Sequence, residues 1–318
     1  MIQFSIIIPN YNHSKYLRER IESVINQSYQ NFEIIILDDA STDNSREVIE
    51  NYRTHAKVKA IIYNETNTGL QSLQWIKGIE AASFDWIWVA ESDDIAEPNF
   101  LNDAAAEIGN QNKAVIYYTD SYHMKSAEKD PSQVKFSSMK GNYFNTGHWN
   151  INYSEDGIVE IDTYMKYVCT INNVSCCVVP KKEALDVLYQ FPHMIFYNDW
   201  LFYIQMLERC PVVYSASCQN WYRIHQESHF STRGTGLIKR KECFNILCYL
   251  YKAPYITGKN QLVRFFTEQY LGIGIWKERK YIVPLFAFCL KRSPAVFLKF
   301  LTHLLVIKIT RKKIKYIF

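Results

Sequence analysis

Trp86-Ile87-Trp88-Val89-Ala90, followed directly by Glu91-Ser92-Asp93-Asp94, is the stretch on which the fold of this chain turns. β-Branched and aromatic residues crowd the first five positions without a charge, which predicts a buried parallel strand. Such a strand delivers its last residues to the carboxyl edge of a sheet, where open α/β folds bind ligands. Several carboxylates gathered there do not stay close and ionised without a cation. A divalent metal holding a diphosphate satisfies that requirement economically. The alternative is a solvated acidic loop capping a helix that starts near Pro98.

Upstream, the same grammar repeats. Ser5–Ile8 predicts a first strand, Tyr16 to about Gln27 an amphipathic helix with Leu17, Ile21, Val24 and Ile25 on one stripe, and Glu33–Leu37 a second strand. Asn44-x-x-Glu47 has the form of a capping box for a helix over Ser45–Tyr52. Val58–Tyr63 reads as a third strand and Leu70–Ala82 as a helix leading into Trp86–Ala90. The resulting β-α-β-α-β-α-β order implies a parallel sheet with right-handed crossovers, a Rossmann-like half.

Downstream the signal is patchier. Helices are predicted at Pro98–Ile108, Lys182–Tyr189 and Trp200–Arg209, and strands at Ala114–Tyr118, Val174–Val179 and Val212–Ala216. Ser121 to about Glu160 is polar and has no clean period, which marks a functional or mobile stretch. From about Gly236 the pattern is helical, and no internal repeat occurs.

The chain has 318 residues, 48% of them hydrophobic, enough for a full core and an appendage. Eight cysteines show no C-x-x-C spacing and several sit in apolar runs, so buried free thiols in a reducing compartment are expected. Met1–Ile8 enters a strand without a basic leader, so no signal peptide is expected. The net charge of +4 is unevenly spread: no acid follows Glu278, while ten Lys and Arg do. The first 278 residues carry 26 basic against 32 acidic groups, a net of −6.

The polar strand ends suit a nucleotide. Pro9-Asn10-Tyr11 can pack against a base, Asp39 can accept the N3–H of a uracil, and Asn67-x-Gly69 makes a tight turn. No Gly-x-Gly-x-x-Gly or Walker loop occurs, so neither helix-cradled NAD nor ATP is indicated. Lys77 and Arg223 are read as solvated surface charges. Trp149, inside the irregular stretch, is the aromatic chosen for stacking on an acceptor sugar; packing is expected for most other tryptophans.

Together these segments resemble the family 2 glycosyltransferases, which have the GT-A fold. The resemblance is carried by Ser5-Ile-Ile-Ile-Pro-Asn-Tyr-Asn12, Ser23-Val-Ile-Asn-Gln-Ser28, Glu33-Ile-Ile-Ile-Leu-Asp-Asp-Ala-Ser-Thr-Asp43, Asn67-Thr-Gly69 and Ala90-Glu-Ser-Asp-Asp94. It continues at Asn198-Asp199-Trp200 and Tyr222-Arg223-Ile224-His225, covering roughly residues 3 to 230. The resemblance implies a mixed, mainly parallel α/β sheet flanked by helices, with a helical C-terminal extension. Residues 1–230 would form the GT-A domain, with about 1–119 its nucleotide-sugar half and about 120–230 its acceptor and catalytic-base half. Residues 231–318 would be the basic helical region.

By the same resemblance, Asp39 would contact the base with Pro9 and Tyr11 lining its pocket, and Asn67 and Gly69 would belong to the nucleotide-sugar site. Asp93 would face the ribose and metal, and Asp94 would be the principal ligand of a Mn²⁺ or Mg²⁺ ion. Glu91 stands where the family often has the first Asp of its D-x-D motif. Asp199 would be the general base, with Asn198 in place of the usual preceding Glu, and His225 would approach the metal or diphosphate. One base and no protein nucleophile imply an inverting transfer from a UDP- or dTDP-sugar to a saccharide or lipid-linked acceptor in cell-surface polysaccharide synthesis.

Two rivals remain: a non-catalytic nucleotide-sugar-binding scaffold of the same fold, which Asn198 and Glu91 leave open, and a sugar-1-phosphate nucleotidyltransferase, whose Gly-rich loop with Arg is absent after the first strand. No run in the tail reaches the ~20 apolar residues a bilayer span needs. Aromatic-aliphatic segments flanked by Lys and Arg over residues 279–318 suit either an in-plane helix on an anionic leaflet or a packed helical subdomain with a basic end. A cytoplasmic location, at the inner face of the membrane in the first case, is expected. No nucleic-acid partner is expected, and the oligomeric state stays open.

Overall fold

Seven consecutive buried residues, Phe4–Asn10, form β1 at the centre of the sheet. Phe32–Asp38 (β2) and Trp86–Val89 (β4) flank it in parallel, and Val58–Tyr63 (β3) lies outside β2. Strands covered on both faces read as unbroken apolar runs rather than alternating ones, which is why β1 and β2 carry Ile-Ile-Ile. The crossovers are α1 (Ser14–Ile25), α2 (Ser45–Glu50) and α3 (Gln71–Ala81). The register pairs Asn10 with Asp38 and Ile7 with Val89, so the three strands end along one edge. The expected Rossmann-like half is present. The structure, a computed structural model, describes residues 1–125, 129–130, 132–190, 194–225, 236–272, 275 and 279–310.

The second half completes a nine-stranded mixed sheet. Its elements in chain order are β5 (Ile95–Ala96), α4 (Phe100–Gly109), β6 (Ile116–Met124), α5 (Phe136–Phe144), β7 (Tyr153–Glu155), β8 (Cys177–Pro180), α6 (Lys181–Leu188), α7 (Asn198–Leu207) and β9 (Val212–Arg223). The path runs β3-β2-β1-β4-β8-β6-β9-β5, with β7 paired to β9. β8 runs antiparallel to both of its neighbours.

Three local expectations are corrected. β9 does not stop at Ala216 but continues to Arg223. Its middle, Ser215 to Asn220, is polar and hides the pattern, yet it pairs with β6 through a shift in register and then with β5, Ile95 opposite Trp221. The irregular stretch from Ser121 contains the end of β6, helix α5 and β7. Lys140 is buried there, donating to the Thr170 carbonyl at 2.9 Å beneath the rings of Tyr118, Trp149 and Tyr214. A buried lysine held by aromatic faces breaks binary patterning, which is why no period was legible. Finally, Asn44 makes no cap hydrogen bond; Asp43 instead accepts from the Ser45 and Ser14 amides, both at 2.9 Å, so α2 is tied to the start of α1.

Residues 1–160 with 170–225 form one compact unit, and residues 161–169 with 226–318 form the other. The second contains α8 (Gly236–Lys252), α9 (Lys259–Phe266), α10 (Ile282–Arg292) and α11 (Pro294–Thr310). Asp162 locks its short segment to the helices: its carboxylate accepts from the Thr257 amide (2.8 Å), the Thr257 hydroxyl (2.6 Å) and Lys166 (2.7 Å). Among the described residues no helix is long and apolar enough to cross a membrane.

One close approach in the first unit is testable. A Cβ on Gly157 would lie 1.9 Å from the Leu207 carbonyl oxygen and 2.5 Å from that of Cys210, and backbone cannot yield as a side chain does. Gly157→Ala is expected to lower stability by ~1–3 kcal/mol, measured by urea denaturation.

Candidate active site

The acidic loop after β4 is built into the sheet, not solvated. Asp94 is 3% exposed. It accepts from Asn173 Nδ2 at 2.6 Å and from the Arg223 amide at 2.9 Å, and Arg20 Nη2 lies 3.9 Å away. Arg20 is fully buried on α1, with its Nε donating to the Glu91 carbonyl at 2.7 Å. Burial pulls the Arg20 guanidinium down, and the charges of Asp94, Asp93 and Glu91 pull it back. Burial and the neighbouring Asp93 charge push Asp94 up, against the pull of Arg20. For Glu91, burial first and Asp93 second push the carboxyl up to about 8, so it is protonated at neutral pH. Its Oε1 accepts the indole N–H of Trp75 at 3.0 Å. The crowding that implied a cation from sequence is thus relieved in part by Arg20 and a retained proton.

Asp93 behaves differently. Burial opposes its ionisation, but the hydrogen bond to His225 and the charges of His13 and His225 outweigh it and hold the carboxyl low. His225 Nε2 lies 2.9 Å from Asp93 Oδ2, and Arg223 Nε donates to the Asp93 carbonyl at 2.8 Å. One donor atom from each of His13, Asp93 and His225 falls within 4.8 Å of the others, the group among the described residues suited to a metal ion. His225 Nδ1 is buried without a hydrogen-bond partner. Two imidazoles, an ionised carboxylate and an orphaned ring nitrogen fit a divalent ion.

On the nucleotide side, Pro9 is buried opposite Leu37 at the end of β1, and the Tyr11 ring is 37% exposed beyond it. Asn67 Oδ1 accepts from the Gly69 amide at 2.5 Å, in a turn that puts Gly69 at φ +67°, a conformation glycine adopts without strain. The Asp39 carboxylate accepts from four donors: Asn64 Nδ2 (2.6 Å), Gln74 Nε2 (3.0 Å), and the amide (3.1 Å) and hydroxyl (2.9 Å) of Thr68. Those donors fill about four lone-pair positions, so a base N–H reaches Asp39 by displacing one of them.

Asp199 stands in the first turn of α7, where its Oδ1 accepts the Trp200 amide at 2.7 Å. Burial pushes it up to about 6, opposed by hydrogen bonds from the Trp200 and Asp199 amides. Asn198 turns its Oδ1 to the Asp199 amide at 2.8 Å, fixing the turn that presents the acid. The phenol of Tyr222 is pushed up by burial first and then by the charges of Asp94, Asp93 and Asp199.

Residues 5–162 match the family described as "Glycosyl transferase family 2". This is a family 2 glycosyltransferase domain. Glycosyltransferase GlyG of Streptococcus pneumoniae is 32% identical to it over 112 residues, 35% of this chain and 37% of that protein. Poly(ribitol-phosphate) beta-N-acetylglucosaminyltransferase TarS of Staphylococcus aureus is 32% identical over 118 residues, 36% of this chain and 20% of TarS. The chain therefore spans little more than a third of the first relative and a fifth of the second. Among solved structures, S. aureus TarS 1-349 in complex with UDP-GlcNAc aligns with a TM-score of 0.67 at 18% identity, over 93% of this chain and 83% of that one. A mannosyltransferase, PcManGT from Pyrobaculum calidifontis in complex with GDP-Man and Mn2+, aligns at 0.56 with 11% identity, over 98% and 88%. These neighbours share the GT-A fold with the family 2 domain.

Three residues of the candidate site escaped the sequence. Arg20 sits on the same stripe as Leu17, Ile21 and Val24; a charge on an apolar face signals a buried partner. His13 follows the polar end of β1, just before α1. Asn173, in an irregular segment, left no signal. Two assignments are corrected: Arg223 is buried and bonded to Asp93 and Glu19 rather than solvated, and Trp149 is 1% exposed with its indole N–H on Tyr118 (3.0 Å), in no position to stack on an acceptor. Removing Arg20 leaves Asp94 buried without its cation. Arg20→Met is expected to cost ~3–5 kcal/mol, and Asp94→Asn in the same chain to recover part of it, as read from a double-mutant cycle in guanidinium.

Proposed function

We propose that the chain transfers a sugar, with inversion, from a nucleoside diphosphate sugar to a saccharide or lipid-linked acceptor of a cell-surface polymer. The observation that carries this is Asp199, a partly buried carboxylate pushed up to about 6, whose charge bears on the Tyr222 phenol together with those of Asp93 and Asp94. Displacing a nucleoside diphosphate builds negative charge on the leaving phosphate and oxocarbenium character on the sugar. A bound Mn²⁺ or Mg²⁺ would neutralise the departing diphosphate as a Lewis acid, and Asp93 and His225 are the residues to hold it, with Asp94 fixing the loop that carries Asp93. Asp199 removes the acceptor proton as the hydroxyl oxygen attacks. A single base with no second nucleophile beside it means one displacement, hence inversion.

A UDP-sugar is the proposed donor, with dTDP compatible with the same Asp39 contact. TarS, solved with UDP-GlcNAc and with UDP and named for poly(ribitol-phosphate), and the protein described as "Putative teichuronic acid biosynthesis glycosyltransferase TuaG" of Bacillus subtilis support a uridine nucleotide and a polymer acceptor. A panel of nucleotide sugars scored for nucleotide release tests the donor. No release from any of them would favour the non-catalytic scaffold.

Asp199→Asn is expected to slow transfer ~10²–10⁴-fold while UDP affinity is kept; unchanged turnover would remove Asp199 from the mechanism. A base works ionised, so kcat should fall as pH drops through about 6, tenfold per unit below it.

The helical unit is proposed to rest on the inner face of the cytoplasmic membrane, near a lipid-linked acceptor. Val283, Leu290, Leu298, Leu305 and Val306 are half-exposed or more, and Lys291 and Arg292 are exposed beside them. The heptad spacing of 283 with 290 and of 298 with 305 puts each pair on one helix face. Arg311, Lys312, Lys313 and Lys315 lie outside the described residues. The full chain is expected to co-sediment with phosphatidylglycerol vesicles, and Lys291→Glu with Arg292→Glu to weaken this severalfold. Equal binding by the double variant would refute the membrane role.

A further inference from the structure

Building on the metal-dependent function proposed above, we infer that His13 is a third protein ligand of that ion, and that its two-imidazole set selects a transition-metal ion over Mg²⁺.

The acidic motif alone would place only oxygen on the ion. The structure brings in nitrogen from two other segments: His13 from the turn between β1 and α1, and His225 from just beyond β9. Their rings are 5.5 Å apart at 87°, edge to face, with the Asp93 carboxylate beside both. Donors about 2.1 Å from a shared ion stand roughly 3–4 Å apart, so a separation of up to 4.8 Å closes with small side-chain rotations. His13 Nδ1 lies 2.9 Å from the hydroxyl of Ser92, a buried residue of the acidic loop. An outer partner of this kind fixes the ring of a metal-bound histidine. The second sign is the His225 Nδ1, buried and unpartnered on a side chain only 9% exposed.

Meanwhile the other carboxylates are engaged. Asp94 is held by Asn173, the Arg223 amide and Arg20, and Glu91 accepts the indole N–H of Trp75. The donor set is therefore two nitrogens and one carboxylate oxygen, with positions left for a diphosphate. Mg²⁺ prefers oxygen and keeps its waters, whereas imidazole suits the later first-row divalent ions. Affinity is expected to rise from Mg²⁺ through Mn²⁺ to Co²⁺ and Ni²⁺.

The test reads binding, not turnover. Thermal shift and calorimetry with Mg²⁺, Mn²⁺ and Co²⁺ on the full chain, with and without UDP, should give at least tenfold tighter Mn²⁺ and Co²⁺ than Mg²⁺. His13→Ala and the near-isosteric His13→Asn, each checked for a native circular dichroism spectrum, should lose at least tenfold in Mn²⁺ affinity. Mn²⁺ electron spin resonance should show nitrogen hyperfine coupling that weakens in both variants. Wild-type affinity in both variants, or equal affinity for Mg²⁺ and Mn²⁺, overturns the inference and leaves the glycosyl transfer standing. UDP binding without any divalent ion overturns the metal dependence itself.

Discussion

Asp94 is where the two halves of the sheet are tied together, and the site depends on how its charge is held. A carboxylate removed from water survives only if donors replace the solvent. Here they come from α1 (Arg20), from the segment before β8 (Asn173) and from the last residue of β9. Asn173 extends the chain of contacts to Asn220 at 3.3 Å, which bonds Ser121 at 3.1 Å. Each of these pieces lies far from the others in sequence, so satisfying one acid closes the nucleotide half onto the strand that ends beside His225. Satisfied polar networks of this kind favour one arrangement over near neighbours.

The four-residue acidic loop also shows how environment divides like groups. Glu91 points to an indole N–H and keeps its proton; Asp94 is shared among buried donors; Asp93, beside two imidazoles, is the one held ionised. Neighbouring acids of one loop thereby differ in whether they keep a proton. Asp199 gains its basicity another way, by burial against two backbone amides and with no cationic partner contributing.

Wherever one period governed a segment, its structure could be read in advance. The four parallel strands and their crossovers appear where Ile-rich runs and helical stripes placed them, because burial on both faces leaves no room for another pattern. Legibility failed where polar groups satisfy one another inside. The middle of β9 looks like loop until β6 and β5 are paired to it, and Lys140 looks like surface until three rings surround it. The candidate site was legible at Asp93, Asp199 and His225 as residue types in suggestive places. His13, Arg20 and Asn173 were not, since what recommends each is a partner at least 71 positions away or in another segment.

The nine residues 161–169 belong to the helical unit although the chain returns to the sheet unit at Thr170. Asp162 there grips Thr257, almost a hundred positions on. The C-terminal helices are thus not a trailing module that recombination could exchange at one junction. A graft of them onto another member of the family must carry a strap from the middle of the host chain as well, so the two units are bound to be inherited together.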